Sequence, residues 1–254
     1  MTDWRPTDCH AHSRHSDGAL TVAEVVAQAA ILGTRASVTD HISRDAPTIV
    51  DSPRAVEEYL DDLEQYDVLR GGEFCWHDSL WRELPPETVR RFTHRVGSLH
   101  AIRLEDGRYV RAFARELPDG LTPAAYMDAH VQSLESLAEE MPVDVLAHPT
   151  LVSPVLRALD PHALWSEALE ERAVNALRRS GIAFEISARY RPHERIVRRA
   201  AEAGVRLSLG SDGHAREQVA NVAASLELAR RIGVRDDLLY DPERHGSRTG
   251  AFDA

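Results

Sequence analysis

The chain contains no lysine: all 30 of its basic residues are arginine. That absence excludes Schiff-base chemistry, the phosphate-cradling lysine of a Walker-A loop and a carbamylated-lysine metal bridge, each of which needs an ammonium side chain. Cysteine is nearly as scarce. Cys9 and Cys75 are the whole complement, too few for a Cys-based zinc site or a disulfide framework, and both are expected as buried thiols. Long apolar runs are also missing. None approaches the ~18 residues of a membrane span, and the opening residues lack the basic-then-apolar layout of a secretory signal. No membrane association is expected, and a cytoplasmic location is. Positive charge is in deficit, with 41 acidic residues against those 30 and a formal net charge of -11. Such a field repels long nucleic acid and anionic surfaces, so an anionic substrate must be attracted locally.

What is present is an ordinary globular composition, 43% hydrophobic and 28% charged over 254 residues, enough chain for a substantial core. Short β-rich runs near 4–10 and at 35–40, 68–75, 95–102, 144–148, 183–187 and 206–211 alternate with helix-like stretches at 21–33, 54–66, 123–140, 160–180, 192–203 and 215–232. The first helix opens with Thr21 and Glu24 in capping-box spacing and stops at Gly33. The stretch 160–180 has Asp160 as N-cap, Pro161 in the first helical position and Gly181 after the last turn. Alternation of this kind implies parallel strands joined by crossover helices. Seven units without a linker favour an α/β fold of one domain over residues 1–240, a distorted (β/α)7 TIM-like barrel, rather than an open doubly wound sheet. In the irregular stretch 103–122, Asp106 and Gly107 predict a hairpin and a candidate lid. Residues 241–254 are polar and Gly-rich, which predicts a flexible tail.

Metal-competent side chains sit at the C-terminal ends of nearly all these runs: His10 and His12, His41, Glu73, His100, His148, then Asp212 and His214. In a parallel β/α barrel those ends converge on one face, so residues distant in sequence become neighbours. Side chains at i and i+2 of a strand share a side, so His10 with His12, and Asp212 with His214, can each aim at one point. Any one of the 13 histidines has a dull explanation in the core or at the surface. Their joint placement does not, because burying so many ionisable groups costs several kcal/mol per unpaired charge. Divalent cations offset that cost. Imidazoles with carboxylates suit manganese, iron or zinc, whereas calcium and magnesium favour carbonyl-type oxygen ligands that are scarce here.

The segments Asp8-Cys9-His10-Ala11-His12, Ser16-Asp17-Gly18, Thr39-Asp40-His41, Gly72-Glu73, Gly97-Ser98-Leu99-His100, Ala147-His148-Pro149 and Gly210-Ser211-Asp212-Gly213-His214 together resemble the PHP (polymerase and histidinol phosphatase) family over residues 8–214. The resemblance implies a distorted barrel with a trinuclear centre, two to three divalent transition metal ions being bound. It assigns His10, His12, Glu73 and Asp212 to one ion, Glu73, His100 and His148 to a second, and Asp17, His41 and His214 to a third, with Glu73 bridging and His15 competing with Asp17. Asp8 and Asp40 flank ligand histidines and are candidates either to fix their tautomers or to cap strand ends.

Three such ions would exceed the charge of Asp17, Glu73 and Asp212 by three, which a phosphate monoester dianion plus hydroxide would cancel. Multinuclear clusters suit in-line displacement at phosphorus, and bound water whose pKa falls towards ~7 makes hydroxide available at neutral pH. The resemblance therefore implies a phosphoric monoester hydrolase acting on a small phosphorylated substrate, most like the histidinol phosphatase branch, with Glu73, Asp212 and Arg191 as catalytic residues. The alternatives are a family phosphatase acting on nucleotides or oligonucleotide ends, and a non-catalytic scaffold of the same fold. Arg191, ahead of Arg189, is the candidate phosphate fork. Trp76, His77 and Trp81 are candidates for the wall against the organic part. His15, His77 and His193 are candidates for the leaving-group acid. Oligomeric state has no signature in the sequence.

Overall fold

The computed structural model describes residues 5–247. Its strands are β1 (Ser37–Val38), β2 (His41–Ile42), β3 (Leu69–Arg70), β4 (Glu73–Cys75), β5 (Val96–Ser98), β6 (Ala101–Arg103), β7 (Tyr109–Arg111), β8 (Val145–Leu146), β9 (Ala183–Ser187) and β10 (Leu207–Gly210). The helices are α1 (Val22–Leu32), α2 (Pro53–Leu63), α3 (Pro86–Val89), α4 (Pro123–Glu140), α5 (Pro161–Leu164), α6 (Glu167–Ser180), α7 (Glu194–Glu202), α8 (Ala223–Arg231) and α9 (Pro242–His245). A six-stranded sheet runs in the order β10-β9-β8-β5-β4-β2, and every pair in it is parallel. β1 and β3 form a separate parallel pair, because the runs at 35–40 and 68–75 break at Thr39-Asp40 and Gly71-Gly72. β6 and β7 form the expected hairpin, with Gly107 at φ +85° in its turn.

Of the strand expected near 4–10, the described residues 5–10 form none, and among the described residues no continuous ladder closes the barrel. Thr7 and Ala11 make only isolated parallel bridges, to Arg35 and Gly213. The segment still lies between its two neighbours: Thr39 N–H donates to the Ala11 carbonyl at 2.7 Å on one side, and Cys9 N–H to the Leu209 carbonyl at 2.8 Å on the other. Polar side chains take up groups that a ladder would use. The Asp8 carboxylate accepts from the His10 and Ser211 amides at 3.2 and 2.8 Å, and the Ser37 hydroxyl donates to the Asp8 carbonyl at 2.5 Å. Local side-chain bonds of this sort compete directly with sheet pairing.

Helix boundaries follow their caps. Thr21 and Glu24 complete the capping box of α1, and Gly33 ends it at φ 67°. The stretch 160–180 divides, since Ser166 supplies a second N-cap and starts α6 after the single turn of α5. The stretch 215–232 contracts to α8. The core is a large apolar cluster beneath α1, α2, α4, α6 and α7, with Tyr59, Tyr126, Phe74 and Phe184 among its buried side chains, and a smaller one around Val96, Val145 and Tyr240. Part of the expected tail is seated on the body: Asp241 pairs with Arg35 at 2.7 Å, and Pro242–His245 forms α9. Residues 248–254 of that tail lie outside the described residues. Among the described residues no helix is long and apolar enough to cross a membrane.

Candidate metal centre

Glu73 opens β4, and the sheet register sets it directly beside His41 of β2. His100 follows β5, His148 follows β8, and Asp212 and His214 follow β10, while His10 and His12 come from the bridged first segment. These ends converge on the fully buried Glu73 carboxylate. Its Oε1 lies 3.2 Å from Nε2 of both His100 and His148. Its Oε2 lies 2.7 Å from His41 Nδ1, 3.4 Å from His10 Nε2 and 3.7 Å from His12 Nε2. His41 turns its other nitrogen to Asp17, at 3.6 Å, whose Oδ1 is also 3.1 Å from His214 Nε2 and 3.8 Å from His12 Nδ1. Asp212 completes the ring, its Oδ1 3.4 Å from His12 Nε2.

Among the described residues three sets of donor atoms are compact enough to hold a cation: His12, Asp17, His41 and His214; His10, His12 and Asp212; and His41, Glu73 and His100. His148 reaches Glu73 without entering a compact set, whereas His12 and His41 each enter two. His15 is turned away, with Nε2 2.9 Å from Asp62. Imidazole nitrogens with carboxylate oxygens and no thiolate fit borderline divalent ions such as zinc, iron or manganese. They also leave unmet demand: His41 Nδ1 and Glu73 Oε2 are close yet misaligned, and each is buried with no hydrogen-bond partner. His10 Nε2 and His12 Nε2 face one another at 3.2 Å. Buried polar atoms in this state are costly unless something between them accepts their lone pairs.

Electrostatics in the protein alone reflect the same demand. Burial pushes the Glu73 carboxyl up, but the imidazoles of His41, His100 and His10 overcome it and hold it well below the usual carboxylate range. Burial likewise pulls His10 down, and Glu185 and Glu73 reverse this, raising it well above an ordinary histidine. At His12, burial and the neighbouring His41 push the ring down to about 4. Asp17 is pushed up by burial yet falls to about 2 beside His214 and His41.

Of the two roles expected for Asp8 and Asp40, the observed contacts follow the capping of backbone groups and not the fixing of tautomers. Neither Asp8 nor Asp40 touches a ligand ring. Asp8 braces backbone amides, including Ala220 N–H at 3.0 Å, and Asp40 accepts from the Ser13 amide and hydroxyl at 2.7 and 2.6 Å, pinning the turn that carries Asp17. The tautomer of His10 is set instead by Glu185 on β9, whose Oε1 is 2.8 Å from His10 Nδ1 and whose Oε2 accepts from the His148 amide at 2.6 Å. A charged residue in the otherwise apolar run Ala183–Ser187 was its signal. Cys75 plays a similar part for His100, with Sγ 3.0 Å from Nδ1. Both cysteines are buried and free.

The donors open into a cavity of about 400 Å³ whose wall includes Arg111, Phe113, Arg189 and Tyr190. Arg189 approaches His214 Nδ1 to 2.5 Å and donates to the Asp212 carbonyl at 3.3 Å. Arg191, the favoured phosphate fork, does not line this cavity: its Nε donates to the Ala188 carbonyl at 3.3 Å, and it faces a neighbouring cavity. Both arginines lie beyond the end of β9, where strand alternation no longer sets residues two apart on one side, and only Arg189 turns to the donors. Trp76, His77 and Trp81 do not line it either. Trp76 and Trp81 are buried in the core, and His77 is held by Asp45 at 2.6 Å. The β6–β7 hairpin supplies the wall in their place, tied across the mouth by an ion pair between Arg111 and Asp45. Of the leaving-group candidates His15, His77 and His193, none lines the cavity. No sequence signal distinguished Phe113, Asp45 or Tyr190.

The chain matches no protein-family model and no curated protein. Among solved structures it is similar to a histidinol phosphate phosphatase from Lactococcus lactis, solved with zinc, L-histidinol and phosphate. The two are 15% identical, with a TM-score of 0.71, over 91% of this chain and 95% of that one. The shared property is the fold.

Proposed function

We propose that this chain is a metal-dependent phosphoesterase that hydrolyses a small phosphate monoester. The carrying observation is the buried Glu73 carboxylate surrounded by five imidazoles, from His10, His12, His41, His100 and His148. His10, His12, Asp17, His41, Glu73, His100, His148, Asp212 and His214 would hold two to three manganese, iron or zinc ions, with Glu73 shared between ions. When bound, such ions supply positive charge to phosphoryl oxygens and a nucleophile at neutral pH. The similar fold of a phosphatase crystallised with zinc and phosphate supports this choice of chemistry.

The chain's own residues have the remaining tasks. Glu185, fully buried, stands behind the candidate ligands and holds both His10 Nδ1 and the His148 amide. Arg189, which lines the cavity, would fork the phosphoryl oxygens, the task expected of Arg191. Tyr190 and Phe113 offer aromatic surface to the organic part. The test is phosphate release by protein loaded with manganese or zinc from p-nitrophenyl phosphate, L-histidinol phosphate and nucleoside monophosphates, with a lactone and amide panel as controls. Release from at least one ester is expected, and none from any ester refutes the reading.

A further inference from the structure

Beside the metal cavity lies a second, of about 520 Å³, which shares Arg189 and Tyr190 with it. Each is of the size that takes a small molecule. The second wall carries three guanidiniums, Arg157, Arg189 and Arg191, and no carboxylate. That is a local inversion of sign in a chain of net charge -11. Two of the three are anchored at the base of the fork: Arg157 Nε donates to the Val152 carbonyl at 2.8 Å, and Arg191 Nε to the Ala188 carbonyl at 3.3 Å. Among the described residues neither has a carboxylate partner. Tyr190 gathers the group, since Arg157 and Arg189 both lie over its ring, at 5.2 and 5.4 Å. The same ring stands edge-on to His148 at 5.6 Å, so it borders the metal donors on one side and the arginine-lined cavity on the other. Leu151, Leu164 and Trp165 complete an apolar floor.

Forks held with terminal donors unpaired on the wall of one cavity are a site for an oxyanion. We infer that the substrate carries a second anionic group, a distal phosphate or carboxylate, which seats against Arg157 and Arg191 while its phosphate monoester reaches the metal donors past Tyr190. This rests on the phosphoesterase reading above and narrows its substrate class. It also separates this chain from its structural neighbour, because the amine of L-histidinol is cationic and would meet like charge in this cavity.

The experiment compares kcat/KM of the metal-loaded protein for hexyl phosphate, hexanediol bisphosphate and L-histidinol phosphate, with p-nitrophenyl phosphate as the reference ester. The bisphosphate is expected to exceed hexyl phosphate by about tenfold or more, above the statistical factor of about two for its equivalent ends. L-histidinol phosphate is expected to fall below both. In Arg157→Gln the ratio of bisphosphate to hexyl phosphate should collapse towards that statistical factor, and Arg191→Gln provides the same comparison if the first variant does not fold. A wild-type ratio at the statistical factor, or a ratio unchanged in the folded variants, overturns the inference. Hydrolysis of p-nitrophenyl phosphate would in that case leave the phosphoesterase reading standing. No release from any ester removes both.

Discussion

Glu73 shows how much one side chain can organise. A carboxylate buried among five imidazoles is held ionised by them, and each of its oxygens faces at least two ring nitrogens. Glu73→Gln keeps the shape and removes the charge. It is expected to lower bound metal per chain as well as turnover, by more than the roughly 10- to 100-fold in metal affinity that follows loss of a residue behind a ligand, and metal analysis of the purified variant checks this. Glu185→Gln probes the layer behind. Its two contacts, to His10 Nδ1 and the His148 amide, orient two candidate ligands, one of which has a positive φ of 30°. A chelator competition titration should show weakened metal binding of similar size, roughly tenfold or more, with the fold intact by circular dichroism. The candidate ligands were legible because their residue types are rare together at strand ends. Glu185 was less so, since one acid in an apolar strand looks the same whether it pairs with solvent, an arginine or a ligand histidine.

At the scale of elements, close approach sets the composition. A Cβ on Gly210, at the end of β10, would lie 2.0 Å from Glu185 Oε1 and 3.0 Å from the His10 Cβ. Gly210→Ala should therefore displace Glu185 and lose metal affinity without touching a ligand, and the same titration reads it. His130 of α4 links its helix to the loop after β8, with Nε2 3.0 Å from the Pro149 carbonyl and Nδ1 buried without a partner. Burial, against that bond to Pro149, pushes it down to about 4. A group whose folded pKa is depressed contributes its full stability above its unfolded value near 6.5 and loses it as the pH falls towards 4. Urea melts across that window should show a loss on the order of 3 kcal/mol from this residue, and a smaller loss in His130→Gln. Helix caps were readable in advance at Thr21, Asp160 and Gly181, because a cap is chemistry within a few residues. Ser166 splits the stretch 160–180 for a tertiary reason: the chain must turn at Trp165, which is buried beside His130.

For the whole molecule, the cluster that would bind cations also carries a folding cost when they are absent. Saturation with metal at about 100 times its Kd should stabilise the native state by ~2.7 kcal/mol. Chelation should lower Tm by ~2–4 °C per kcal/mol lost, as read by differential scanning calorimetry with and without chelator. An unchanged Tm would separate the cluster from metal binding. Taken alone, the amino-acid order determined the alternation of strands and helices, the absence of lysine chemistry, and the set of imidazoles and carboxylates that meet at one face. Those follow from local periodicity and from residue type, which need no knowledge of distant partners. Tertiary structure alone decided that the first segment bridges its neighbours without a continuous ladder, and that Arg189 rather than Arg191 turns to the donors. It also decided that a hairpin wall replaces Trp76 and His77, and that Glu185 holds His10. The direction in which a side chain points, and the partner that claims a backbone group, depend on packing between residues far apart in the chain.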